Sequence, residues 1–157
     1  MTKRNSEADV RAALTAIADD VGLFAYKPPD DARTSKPADF FAWWPGGQTV
    51  ESAWLEVKDT KAVGTFNWNA MMTPAQIAAI RTARELQLPY YLVVYWRTRG
   101  EWTISNARTM GADFDVFGDH GRTRPFTKVE MMSRYGVQCW PGQLSSTLKS
   151  VLLEATI

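Results

Sequence analysis

The 157-residue chain has one cysteine, Cys139, and one histidine, His120. A single cysteine excludes a disulfide framework and a zinc finger. It also excludes an iron–sulfur cluster held by cysteines, which needs several. A single histidine leaves Ser/His/Asp or Cys/His catalysis with His120 as its only base. If the chain is a metal enzyme, its ligands must be oxygens. Charge of one sign is lacking too. With 18 Lys+Arg against 17 Asp+Glu, the net charge of +1 forecasts no polyanion partner and leaves room only for local basic patches. The longest apolar run, 89–96, is far short of the ~20 residues that span a bilayer. Residues 1–8 are polar and lack the apolar stretch of a signal peptide. There is no internal repeat, low-complexity tract or long linker. These absences point to a soluble intracellular protein of one domain, 1–157. A chain of this length buries ~70% of its unfolded surface and needs no covalent or metal staple to fold.

What is present is a mixed pattern of helix and strand signals. Residues 6–21 read as a helix, with Ser6 as N-cap and Val10, Leu14, Ile17 and Val21 on one face. Residues 23–26 form a short strand, 27–37 a loop rich in Pro, Asp and Lys, and 38–44 a strand. Pro45-Gly46-Gly47 turns into a second strand at 49–58, making a hairpin. Residues 59–72 read as a loop. Thr73-Pro74-Ala75-Gln76 opens a helix, with Thr73 as cap, Pro74 in the first turn and Gln76 bonding back. The near-continuous apolar run at 89–96 is a central strand, followed by a strand at 102–105. Residues 107–126 carry no decisive pattern. Thr127 to Glu130 is another capping box, 137–140 a strand and 144–154 a terminal helix. The order implies an α/β domain with a mixed sheet flanked by helices.

The chemically informative stretch is 37–61. Side chains alternate along a strand, so Glu56 and Lys58 share one face while Leu55 and Val57 supply the other to the core. Across the hairpin, Asp39 meets that polar face. Two carboxylates on adjacent strands make an oxygen site for Mg²⁺ or Mn²⁺, which keeps several waters and accepts phosphate oxygens. Water activated by such a metal attacks phosphorus, and a neighbouring lysine steadies the developing charge. The constellation suits phosphodiester hydrolysis and uses neither His nor Cys. Spacing alone is weak support: with 17 acids in the chain, roughly one acid-x-Lys match arises by chance, and Asp59-Thr60-Lys61 is a second. Parity and apolar flanks favour the Glu56 pair, since Asp59 lies beyond the expected strand.

The order helix, Asp39, Glu56-x-Lys58, helix resembles the PD-(D/E)xK nuclease superfamily, whose members have a restriction-endonuclease-like core. Within it, Leu55-Glu56-Val57-Lys58-Asp59-Thr60-Lys61, then Thr65-Phe66 and Thr73-Pro74-Ala75-Gln76-Ile77, resembles RecU-type Holliday junction resolvases. So does the later Arg124-Pro125-Phe126-Thr127 with Glu130 and Tyr135-Gly136. The resemblance implies a metal-dependent, structure-selective endonuclease of recombination and repair, acting as a homodimer on branched DNA in the cytoplasm of a bacterial or phage-infected cell. Asp39 and Glu56 become metal ligands with Val57 and the helix-borne Glu7, Lys58 the catalytic lysine, and Gln76 a contact to the site or the DNA. Lys61 touches phosphate. Further DNA contacts fall to Lys3, Arg4, Arg33 and Lys36, with Trp68 stacking on a base or wedging a junction.

For several of these residues a plainer role stands beside the implied one: Glu7 suits a helix N-terminus, Gln76 caps Thr73, and Lys61 is a loop lysine. Other loop cations, Lys27, Arg97, Arg99, Arg122, Arg124 and Lys128, read mostly as surface charges. Trp43, Trp54, Trp96 and Trp102 sit in strand patterns and read as core. His120, Asp113 and Asp115 read as loop residues without the further acids of a calcium site. Two family features are reduced. The loop 27–36 is too short for the stalk that enters the junction, and the basic arm is only Lys3 and Arg4. A compact, phage-encoded or minimal member fits this. Two alternatives stay open: a restriction- or repair-type nuclease on duplex, flap or single-stranded DNA, and a non-catalytic DNA-binding module with the same fold.

Overall fold

The computed structural model describes residues 5–29, 36–116 and 124–154. Helix α1 spans Ser6–Val21. Its cap is Asn5, whose side chain accepts the Ala8 N–H at 3.1 Å, so Ser6, expected as the cap, is the first helical residue instead. Val10, Leu14 and Ile17 form the buried stripe, and Gly22 stops the helix at φ 74°, a left-handed conformation that suits glycine. Strand β1 (Phe24–Tyr26) follows, then the hairpin of β2 (Phe40–Gly46) and β3 (Thr49–Thr60). The hairpin turns on Gly47, at φ 85°, and Gln48. β3 is longer than expected and carries Asp59 and Thr60 inside the sheet.

The segment read as a loop after β3 is partly ordered into a short strand β4 (Thr65–Phe66) and one helical turn, α2 (Trp68–Met71). Helix α3 (Pro74–Glu85) has the expected capping box in full. The central strand β5 (Tyr90–Trp96) is buried along its whole length, and β6 (Glu101–Asn106) returns beside it. The undecided stretch opens with helix α4 (Ala107–Val116), whose first turn is capped by Asn106 accepting the Thr109 N–H. Strand β7 (Phe126–Thr127), helix α5 (Lys128–Ser133) with its capping box, strand β8 (Gly136–Cys139), a single 3₁₀ turn (Pro141–Gln143) and helix α6 (Leu144–Glu154) complete the order.

Six strands form one mixed sheet in the order β1-β2-β3-β5-β6-β8, with β3 and β5 parallel and every other neighbour antiparallel. β4 and β7 pair separately, bringing Phe66 against Phe126. Each face of the main sheet has its own core. On one, Leu55, Val57, Val93 and Ile104 pack under Leu14 and Ile17 of α1 and Leu148 and Leu152 of α6. On the other, Leu92, Val94 and Trp96 pack under Ile80 of α3, Met110 of α4 and Met131 of α5. This is the α/β arrangement of a mixed sheet flanked by helices. Trp96 and Trp102 are fully buried, as their strand patterns imply, while Trp43 and Trp54 are half-buried. Among the described residues, no helix is long and apolar enough to cross a membrane.

Candidate active site

The register of the β2–β3 hairpin brings the candidate carboxylates together. Phe40 pairs with Leu55, so one step further sets Asp39 opposite Glu56. Alternation on β3 sends Leu55 and Val57 to the α1 face, and Glu56 and Lys58 to the face covered by α3. Asp39 and Glu56 are 4% and 2% exposed, a depth at which charges need partners. Asp39 Oδ2 accepts the Val57 N–H at 2.8 Å, and Asp39 Oδ1 lies 3.1 Å from Lys36 Nζ. The segment ahead of Asp39 is pinned by the Tyr90 hydroxyl, which donates to the Pro37 carbonyl. Burial, then the negative charges of Glu56 and Asp39, keep that hydroxyl protonated.

Glu56 is the most perturbed carboxylate among the described residues. Lys58 Nζ lies 3.2 Å from Glu56 Oε1, and Gln76 Nε2 donates to the same oxygen at 2.6 Å. Glu56 Oε2 is buried with no hydrogen-bond donor. Burial, chiefly, and then the negative charge of Asp39 push the Glu56 pKa up to about 7, although Lys58 pulls the other way. Gln76 fills both of its anticipated roles. Its Oε1 accepts the Thr73 N–H at 2.9 Å, closing the capping box, and also the Lys58 ammonium at 3.1 Å. The N-terminus of α3 therefore holds Gln76 rigidly, and Gln76 orients both Glu56 and Lys58.

Glu7 and Val57 stand differently. Val57 has an apolar side chain buried in the core under α1, so only its backbone can serve the site. Glu7 pairs with Lys27 at 2.7 Å. Among the described residues, no three His, Cys, Asp or Glu side chains gather closely enough to hold a metal, so Glu7 does not join Asp39 and Glu56 as a third carboxylate. It lines a neighbouring cleft of about 520 Å³ with Asn5, Ser6, Val57, Lys58, Asp59 and Arg97.

Trp68 is a correction. It is 3% exposed, stacked 5.9 Å from Phe114 and tilted against Phe126 at 5.8 Å, so its ring is core and is not offered to a base. Lys61 is exposed at the end of β3. Lys3, Arg4, Arg33, Arg122 and His120 lie outside the described residues. The remaining loop cations are mostly paired: Lys27 with Glu7, Lys36 with Asp39, Arg97 with Asp59, Arg124 with Glu130 and Lys128 with Glu101.

Sequence reasoning set Asp59 aside. Because β3 runs on to Thr60, Asp59 falls inside the strand and turns to the α1 face, where the Ser6 hydroxyl donates to its Oδ2 at 2.7 Å and Arg97 pairs with it. The available signal was parity: the residue after Lys58 must point away from Lys58's face.

No family model matches the chain, and no curated protein matches it. Among solved structures it is similar to Hjc, a Holliday junction resolvase from the archaeal hyperthermophile Archaeoglobus fulgidus. The TM-score is 0.51 at 16% identity, over 90% of this chain and 95% of that one. At this identity the likeness shows the fold: a restriction-endonuclease-like mixed sheet flanked by helices, shared with a solved Holliday junction resolvase.

Proposed function

We propose that the chain is a metal-dependent endodeoxyribonuclease that nicks branched DNA. The observation that carries the reading is the buried Asp39–Glu56 pair with an unpartnered oxygen, Glu56 Oε2, and the Lys58 ammonium 3.2 Å from the other oxygen of Glu56. Two hard oxygen ligands match what Mg²⁺ or Mn²⁺ takes from a protein. The Glu56 pKa is raised chiefly by burial and then by the Asp39 charge beside it, so a cation bound at the pair would favour the ionised form of Glu56. A bound metal would supply that positive charge, neutralise a phosphate and lower the pKa of a water.

The chain's own residues do the rest. Gln76 holds Glu56 in one orientation by a hydrogen bond to Oε1. Lys58, fixed between Glu56 and Gln76, faces the cleft and presents its ammonium to a phosphate oxygen as negative charge builds during displacement. The hydrogen bond from the Val57 N–H to Asp39 keeps the carboxylates in register.

A junction substrate is supported by the fold shared with Hjc and by the RecU-type run at 55–77. Resolving a two-fold junction takes two matched nicks, which a two-fold pair of chains supplies. The short loop between β1 and β2 motivates a second reading, a nuclease on duplex, flap or single-stranded DNA. The experiment is a labelled four-way junction, flap, duplex and single strand, each in Mg²⁺, Mn²⁺ or EDTA. Paired symmetric nicks on the junction alone are expected with either metal. Equal cutting of linear duplex would favour the second reading. Cutting in EDTA, or by Asp39→Ala or Glu56→Ala, would remove the proposed site. Binding without nicking under any metal would leave a DNA-binding module.

A further inference from the structure

Resting on the nuclease reading, we infer that Arg97, held by Asp59 in the cleft beside Lys58, binds a second backbone phosphate of the DNA strand, next to the one that meets Lys58. Three observations lead there. Arg97 is the first residue beyond β5, and its N–H donates to the Thr60 carbonyl at 3.0 Å, which locks its backbone to the end of β3. The side chain pairs with Asp59 through Nε. Arg97 and Lys58 line the same cleft of about 520 Å³, together with the first turn of α1.

A purely structural role explains this arrangement poorly. The side chains of Arg97 and Asp59 are 28% and 19% exposed, so the carboxylate is mostly covered while the guanidinium still reaches the cleft. The pair is also not closed. Asp59 Oδ1 has no aligned hydrogen bond, and Asp59 is the only side-chain partner Arg97 has among the described residues. An Nε contact leaves both Nη groups available, and a planar guanidinium fork matches the paired oxygens of a phosphodiester.

Charge in the cleft points the same way. Glu7 is matched by Lys27 and Asp59 by Arg97, so the acids on its wall do not leave it anionic. Asp59 acts as a positioning residue: it balances Arg97 while no DNA is bound and holds a long side chain in one place, so less freedom is lost on binding. Ser6 ties Asp59 to α1, which makes the cleft wall continuous from the strand to the helix.

The test is DNA affinity measured in EDTA across a salt series, for wild type, Arg97→Ala, Arg97→Lys, Asp59→Asn and the Arg97→Ala/Asp59→Asn double variant, with thermal midpoints as the check on folding. One lost phosphate contact lowers the slope of log K against log salt by about 0.9. Arg97→Ala should show that drop and bind junction and duplex more weakly by the same factor. Arg97→Lys should keep the slope and recover part of the affinity. Asp59→Asn should weaken binding less than Arg97→Ala, and the double variant should bind no worse than Arg97→Ala alone. A folded Arg97→Ala protein with the affinity and slope of wild type would overturn the inference while leaving the nuclease reading intact. A wild-type protein that binds no DNA at any salt would overturn both.

Discussion

The molecule contains the same trio of side chains twice, a buried glutamate with a lysine and a glutamine, and the two copies are finished differently. On β6, Glu101 is 5% exposed, and both of its oxygens are taken: Oε1 by Lys128, Oε2 by Gln138 Nε2 at 2.6 Å. Lys128 also lies over the Trp96 ring, 6.0 Å from its centroid. On β3, Glu56 is 2% exposed, yet Lys58 and Gln76 both converge on Oε1 and leave Oε2 bare, with a second buried carboxylate, Asp39, alongside. A closed trio satisfies itself and holds structure. The open one leaves Glu56 Oε2 without a hydrogen-bond donor beside Asp39, and it is there that we propose a metal binds.

The difference can be broken by mutation. The largest effect should fall on the open site. Asp39→Ala and Glu56→Ala are expected to abolish junction cleavage while gel-shift affinity in EDTA persists, whereas Glu101→Ala in the folded protein should cut at the wild-type rate. Lys58→Ala removes a preorganised charge from the reacting phosphate and should slow the single-turnover rate by ~10²–10³. For the closed trio the cost appears as stability. Glu101→Ala leaves the Lys128 ammonium, 14% exposed, without its counter-ion and should lower unfolding free energy by about 3–5 kcal/mol in denaturant titrations.

A smaller effect separates the sites by pH. The native Glu56 pKa, about 7, lies above its ordinary value of 4.5, so the folded state holds a proton that the unfolded state releases. The contribution of Glu56 to the stability of the metal-free protein is therefore fully present below pH 4.5 and is lost as pH rises through 7, by on the order of 3 kcal/mol. Glu56→Gln keeps the acceptor for Gln76 but cannot ionise, so its stability between these pH values should be flatter than that of wild type. A wild-type curve that does not fall relative to that of Glu56→Gln over this interval would contradict the assigned environment of Glu56. Metal binding should strengthen with rising pH over the same range, since the ligand must first lose its proton.

How much of this was legible beforehand follows from which forces act locally. The capping boxes at Thr73 and Thr127 are short-range signals, and both helices start where those residues put them. The alternation on β3 told which face Glu56 and Lys58 share, because strand parity is a property of the backbone. Helix α4 was hidden for a physical reason. Gly111 and Thr109 are weak helix formers, but Gly111 lets the helix approach α3 so closely that an added Cβ would sit 3.2 Å from Ile80 Cγ2. That contact is tertiary and leaves no local trace. Trp68 misled because its neighbours are polar: Asn67 and Asn69 flank it, yet the turn α2 drives the ring between Phe114 and Phe126. Asp59 was missed because the end of β3 is set by its pairing with Trp96 and Tyr95 on β5, a partner thirty-odd residues away in the chain.

The comparison of the two trios reduces to one measurement, a Mn²⁺ titration by calorimetry on metal-stripped wild type, Asp39→Asn, Glu56→Gln and Glu101→Gln. Saturable Mn²⁺ binding is expected for wild type and Glu101→Gln, and its loss for both Asp39→Asn and Glu56→Gln. Equal binding by all four proteins, or none by wild type, would contradict the assignment of the open carboxylate pair as a metal site.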